Sequence, residues 1–227
     1  MVSYDIDKLI IILTGIFFLF LSVNFSPQIL GIVYTAFIFF YYMFILDKDV
    51  GQYTLSIKNV NAAKMIVIVS VIFVIWITAV IAISNYFGAG ANYYSIFKIL
   101  ASNTSPPFIS QNKYLSFFIT AVAIPIAETL FFFGVILSYL VQALNLNINN
   151  KRDWIILAVA VASFMTIFHL AVQYSTQYAL VSTFVFAFIS TIMVLKFKNL
   201  TYALLFHIVA NASIVSGLLF SILAAGG

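Results

Sequence analysis

The chain has 227 residues, 64% of them hydrophobic and only 7% charged, with a formal net charge of +4. Soluble domains carry about 25% charged residues, so this composition excludes a water-soluble globular fold and requires lipid as the solvent. The chain has no cysteine, which removes disulfides and thiolate metal sites from consideration.

A helix crosses the hydrocarbon core with roughly 20 apolar residues, and seven stretches are long enough: Leu9 to Phe25, Ile29 to Leu46, Met65 to Ser84, Tyr114 to Leu144, Trp154 to Gln173, Tyr178 to Phe197 and Tyr202 to Ala224. The first is preceded by Asp5 and Asp7 beside Lys8 and lacks a convincing cleavage site, so it reads as a retained helix and not a signal peptide. Between the third and fourth stretches, Tyr93, Tyr94, Phe97, Ile99 and Leu100 surround Lys98 and predict a short interfacial helix, closed by Ser105-Pro106-Pro107. Weak glycosylation sequons begin at Asn24 and Asn103.

The fourth stretch, at 31 residues, is about 46 Å long at 1.5 Å per residue. Pro125 is expected to kink or divide it, since proline removes a backbone hydrogen bond within a helix. Asn145 to Asn150 then forms a polar turn leading into Lys151-Arg152-Asp153.

None of these runs shows the two-residue alternation of outer-membrane barrel strands. The predicted fold is all-α: a polytopic bundle of about seven transmembrane helices forming a single domain over residues 1–227, without internal repeats. Eight basic residues (Lys8, Lys48, Lys58, Lys64, Lys151, Arg152, Lys196 and Lys198) fall on the N-terminal side, against Lys98 and Lys113 opposite. Cytoplasmic loops retain Lys and Arg, so the N-terminus is expected in the cytoplasm, and the net charge needs no nucleic-acid partner.

The informative residues are the polar ones inside apolar spans. Glu128 is the only glutamate, three residues after Pro125 in the fourth stretch. An acid at that depth costs several kcal/mol unless it faces a partner or a cavity, so it is a candidate functional group; the alternative is a protonated glutamate that binds a neighbouring helix as packing glue. The only two histidines, His169 and His207, also lie within spans, and Asn211 follows His207 by one turn on the same face. Glu, His, His and Asn could ligate zinc, but they come singly from three helices without the close spacing of zinc motifs, so no metal or other cofactor is expected. A bis-histidine haem is an open alternative that leaves Glu128 unexplained.

These residues resemble the CPBP family of intramembrane proteins, which includes type II CAAX prenyl endopeptidases and bacteriocin-processing enzymes. The family motifs E-E-x-x-F-R-G, F-x-x-x-H and H-x-x-x-N/D correspond here to Glu128 to Gly134, Met165 to His169 and His207 to Asn211, in the same order on successive helices. Three positions depart: Thr129 replaces the second glutamate, Phe133 the arginine and Met165 the phenylalanine. The resemblance covers residues 113–216, leaving 1–112 as additional N-terminal helices and the outer loop.

The resemblance implies water-mediated peptide cleavage with Glu128 as general base, His169 holding the water, and His207 and Asn211 donating to the oxyanion. The implied partner is a membrane-bound or lipidated peptide, with the protein residing in the cell membrane. A catalytically silent scaffold or binding subunit of a larger membrane complex is the competing expectation. One difficulty stands out. Counting ~1.5 Å per residue, His169 lies about 22 Å from the cytoplasmic start of its helix and His207 only about 8 Å, so upright straight helices would not bring them together.

Overall fold

A computed structural model describes residues 61–87, 117–172 and 177–225. The first two predicted spans, the sequons and the interfacial helix lie outside these residues. Every element described is helical: α1 (Ala62–Tyr86), α2 (Ile119–Ala143), α3 (Lys151–Val172), α4 (Gln177–Phe197) and α5 (Leu200–Ala225).

Helices α1 to α4 are each long and apolar enough to cross a membrane, while the apolar length described for α5 is Leu200–Ser216. The protein is therefore an integral membrane protein. The total of seven spans and the side on which the N-terminus lies depend on residues outside the described ones.

Local chemistry sets the helix ends. Asn61 caps α1, its Oδ1 accepting the Lys64 N–H at 3.0 Å. The α2–α3 turn is held by Asp153, whose carboxylate accepts the Asn147 N–H at 2.9 Å and the Asn150 side-chain amide at 3.3 Å; its position in the first turn of α3 also suits the helix dipole. Asn145, at φ 48°, takes the left-handed conformation that ends α2. The α4–α5 turn is tighter: Lys198 is left-handed at φ 50°, Asn199 Oδ1 accepts the Thr201 N–H at 2.8 Å, and the rings of Phe197 and Tyr202 stack across the turn at 4.3 Å.

The bundle is organised around α2. In its most apolar stretch 78% of residues are buried, against 22% in α1, whose Val67, Val71, Val74 and Ile75 face outward. Leu130, Phe131, Phe132 and Phe133 are completely buried at the centre. Helices α3 and α4 pack against one another as a hairpin, and α5 lies against α2, α1 and α4. Trp76 of α1 donates its indole N–H to the Ser182 carbonyl of α4 at 3.2 Å and meets Phe186 and Phe206 edge-on, which joins three helices.

Helix α2 is one continuous span, so Pro125 does not divide it. Instead, π-helical turns at Ile119–Ala123 and Thr129–Ile136 bracket the α-helical Ile124–Glu128 that contains the proline. The Ile124 N–H bonds to the Ile119 carbonyl and the Leu137 N–H reaches the Phe132 carbonyl, both five residues back. Such turns are rare and tend to occur at functional sites.

Candidate active site

The proline and the first π turn together free one backbone acceptor. In α-helical register the Thr120 carbonyl would take the Ile124 N–H, but that N–H goes to Ile119. In π register it would take the N–H of residue 125, which proline lacks. Asn211 of α5 supplies the missing donor, its Nδ2 reaching the Thr120 carbonyl at 3.1 Å. Away from water a backbone acceptor must find such a partner. This bond fixes the antiparallel register of α5 on α2.

Two turns deeper along α2, that register brings Glu128 to the histidines. Glu128 Oε1 lies 3.5 Å from His169 Nε2 on α3, and Oε2 lies 3.3 Å from His207 Nε2 on α5. The three residues are 5%, 3% and 3% exposed, respectively. Three helices thus place their titratable groups around one carboxylate, and the unequal helix lengths predicted from sequence do not keep the histidines apart. The helix starts do not explain this, since α3 begins at Lys151, a turn before the predicted start, which places His169 still further from the beginning of its helix.

The far nitrogen of each imidazole is also anchored. His169 Nδ1 donates to the Met165 carbonyl at 2.8 Å, one turn back on α3. His207 Nδ1 lies 3.2 Å from the hydroxyl of Thr129. Aromatic rings pack around both: Phe132 and Phe168 lie 6.2 and 5.8 Å from His169, and Phe186 lies 4.5 Å from His207. Electrostatic interactions strengthen in such apolar surroundings.

Glu128, His169 and His207 therefore converge, where upright straight helices would have kept the histidines apart. Asn211 sits one turn along α5 from His207, bonded to Thr120. Thr129 was named from sequence only as a departure from the family motif and not as a site residue; a hydroxyl adjoining the only glutamate was the available signal. Phe133, which stands where the motif has arginine, is completely buried with its ring 6.3 Å from that of Phe186, so an aromatic contact occupies the cation's place.

The geometry bears on the cofactor alternatives. Both Nε2 atoms are turned onto the oxygens of one carboxylate at hydrogen-bonding range, and not onto a common metal position. Among the described residues no group of three His, Asp or Glu side chains is arranged to hold a metal ion.

Fold and site together define a polytopic helical membrane protein with a carboxylate and two imidazoles buried at the meeting point of three helices. Residues 110–213, just under half the chain, match the family model described as type II CAAX prenyl endopeptidase Rce1-like. The match agrees with the resemblance of residues 113–216 to the CPBP family of intramembrane proteins. No curated protein and no solved structure matches the chain.

Proposed function

We propose that the protein is an intramembrane endopeptidase that hydrolyses a peptide bond in a membrane-bound or lipidated substrate. The observation that carries this reading is the convergence of Glu128, His169 and His207, from three helices, within 3.5 Å and almost wholly buried. The family match points to the same class of reaction.

In this mechanism Glu128 takes a proton from a water molecule held with the help of His169, and the resulting hydroxide attacks the scissile carbonyl. Negative charge then develops on the carbonyl oxygen, where the His207 Nε2–H stabilises it. Asn211 gives one amide hydrogen to the Thr120 carbonyl and the other to the oxyanion. Collapse of the tetrahedral intermediate breaks the C–N bond as the proton passes from Glu128 to the leaving amine. No side-chain nucleophile and no covalent intermediate is needed. The apolar exterior confines the substrate to peptides presented at or within the bilayer, with the cell membrane as the expected location.

The test is cleavage of a prenylated fluorogenic peptide, and of its unprenylated counterpart, by the purified protein in proteoliposomes. Activity in the wild type and its loss in Glu128→Gln, with unchanged helix content and thermal stability, are the expected results. Full activity in Glu128→Gln overturns the mechanism. The replacement of the motif arginine by the buried Phe133 favours a second reading, a silent scaffold. Absence of cleavage by the wild type, together with co-purification of another membrane protein at fixed stoichiometry, would establish that reading instead.

A further inference from the structure

We infer that Thr129 is a positioning residue: its hydroxyl donates to His207 Nδ1 and so holds the imidazole with Nε2–H directed at the Glu128 centre. Its catalytic consequence rests on the endopeptidase reading, whereas the hydrogen-bond assignment does not.

The first argument is a contrast within the bundle. A hydroxyl inside a helix commonly bonds back to the carbonyl four residues earlier. Thr166 does so to Ala162 at 2.7 Å, Thr191 to Ala187 at 2.8 Å and Ser213 to Val209 at 2.7 Å. The Thr129 hydroxyl instead lies 3.2 Å from a nitrogen 78 residues away. Thr129 opens the longer π turn of α2, where the backbone leaves α register, and its side chain is completely buried against α5.

The second argument is proton accounting. A carboxylate that acts as a base carries no proton and only accepts hydrogen bonds, so His207 Nε2, 3.3 Å from Glu128 Oε2, must carry the hydrogen. A neutral imidazole has one N–H, which leaves Nδ1 as a lone pair in need of a donor. A hydroxyl can donate; a backbone carbonyl cannot. At His169 the far nitrogen faces the Met165 carbonyl and must itself donate, while Nε2 lies 3.5 Å from Glu128 Oε1, so the same accounting gives His169 a hydrogen on both nitrogens. The chemistry behind the two rings therefore differs, a carbonyl for His169 and a hydroxyl for His207. Control of the far ring nitrogen decides what the near one can do. Only His207 is held as a neutral Nε2–H donor, which is what an oxyanion requires, because a lone pair there would repel the developing charge.

The experiment exploits the presence of only two histidines in the chain. With 15N-labelled histidine in the full-length protein in bilayers, NMR separates protonated ring nitrogens from lone-pair nitrogens, and His207→Asn assigns the signals. The wild type should show His207 protonated on Nε2, with Nδ1 as a hydrogen-bonded lone pair. Thr129→Val should move the Nδ1 signal toward that of a free lone pair while His169 stays unchanged, and Thr129→Ser should restore it. In the peptide assay Thr129→Val should lower kcat about tenfold with little change in KM, and Thr129→Ser should recover most of the loss. A wild-type His207 protonated on Nδ1, or an Nδ1 signal unmoved in Thr129→Val, overturns the assignment whether or not the variants cleave peptide. An unchanged kcat beside the shifted signal overturns the positioning role. Wild-type inactivity with the predicted NMR pattern refutes the endopeptidase reading but leaves the hydrogen bond standing.

Discussion

Helix α2 and the α3–α4 hairpin draw on the same apolar residues but treat their polar groups differently. In the hairpin, backbone register is regular, and Thr166 and Thr191 return their hydroxyls to carbonyls of their own helices. In α2 the register slips on either side of Pro125, and polar groups are turned outward to neighbours: the Thr120 carbonyl to Asn211, the Thr129 hydroxyl to His207, and the Glu128 carboxylate to both histidines. Lipid offers no replacement partners, so a membrane helix normally satisfies its polar groups within itself. A helix that directs them elsewhere needs neighbours placed to meet each one. Regularity in α3 and α4 therefore supports the scaffold, while irregularity in α2 makes the centre.

This contrast can be broken at several points. The largest effect is expected from Glu128→Gln, which should lower peptide hydrolysis in proteoliposomes by about 10²- to 10⁴-fold without unfolding the bundle. His207→Ala should follow, at about 10²-fold in kcat, measured in the same assay. A smaller effect is expected on stability. Asn211→Leu strands the Thr120 carbonyl and should cost about 1 kcal/mol in detergent unfolding. In a Pro125→Ala background, where residue 125 regains its N–H, that cost should largely vanish. Equal costs in the two backgrounds would show that Asn211 does not compensate for the proline. The smallest change is expected from Thr166→Val on α3, at no more than about 0.5 kcal/mol, because its hydroxyl serves a carbonyl of the same helix. A loss there as large as that of Asn211→Leu would erase the distinction between the two regions.

The helices that are described were legible from sequence because long apolar runs have one economical solution in lipid, and α1, α3 and α4 fall within a few residues of their predicted limits. Glu128, His169 and His207 were legible because each is rare and costly within a span. The π turns were not. They change which carbonyl an N–H selects without changing composition, and Pro125 signalled a kink or a division in a helix that continues through it. The pairs Thr129 with His207 and Asn211 with Thr120 were hidden for another reason: each depends on the rotation of α5 about its axis, which periodicity alone does not fix. The spacing of Asn211 from His207 marked a shared face, but it did not reveal that the carboxamide would meet a carbonyl opened by a proline on another helix.

The long π turn has a consequence for length changes in the gene. Each residue of an α-helix advances the chain by about 100°, and a π turn absorbs one extra residue without losing phase between its flanks. Deleting a single residue between Thr129 and Ile136 can therefore be taken up by rewinding that stretch to α register, which keeps Glu128 in phase with the Leu137–Ala143 end. The same deletion within the regular turns of Leu137–Ala143 has no slack to draw on and would turn the residues on either side of it by about 100° relative to one another. The long π turn thus makes this stretch of α2 tolerant of the loss of one codon where a regular helix is not.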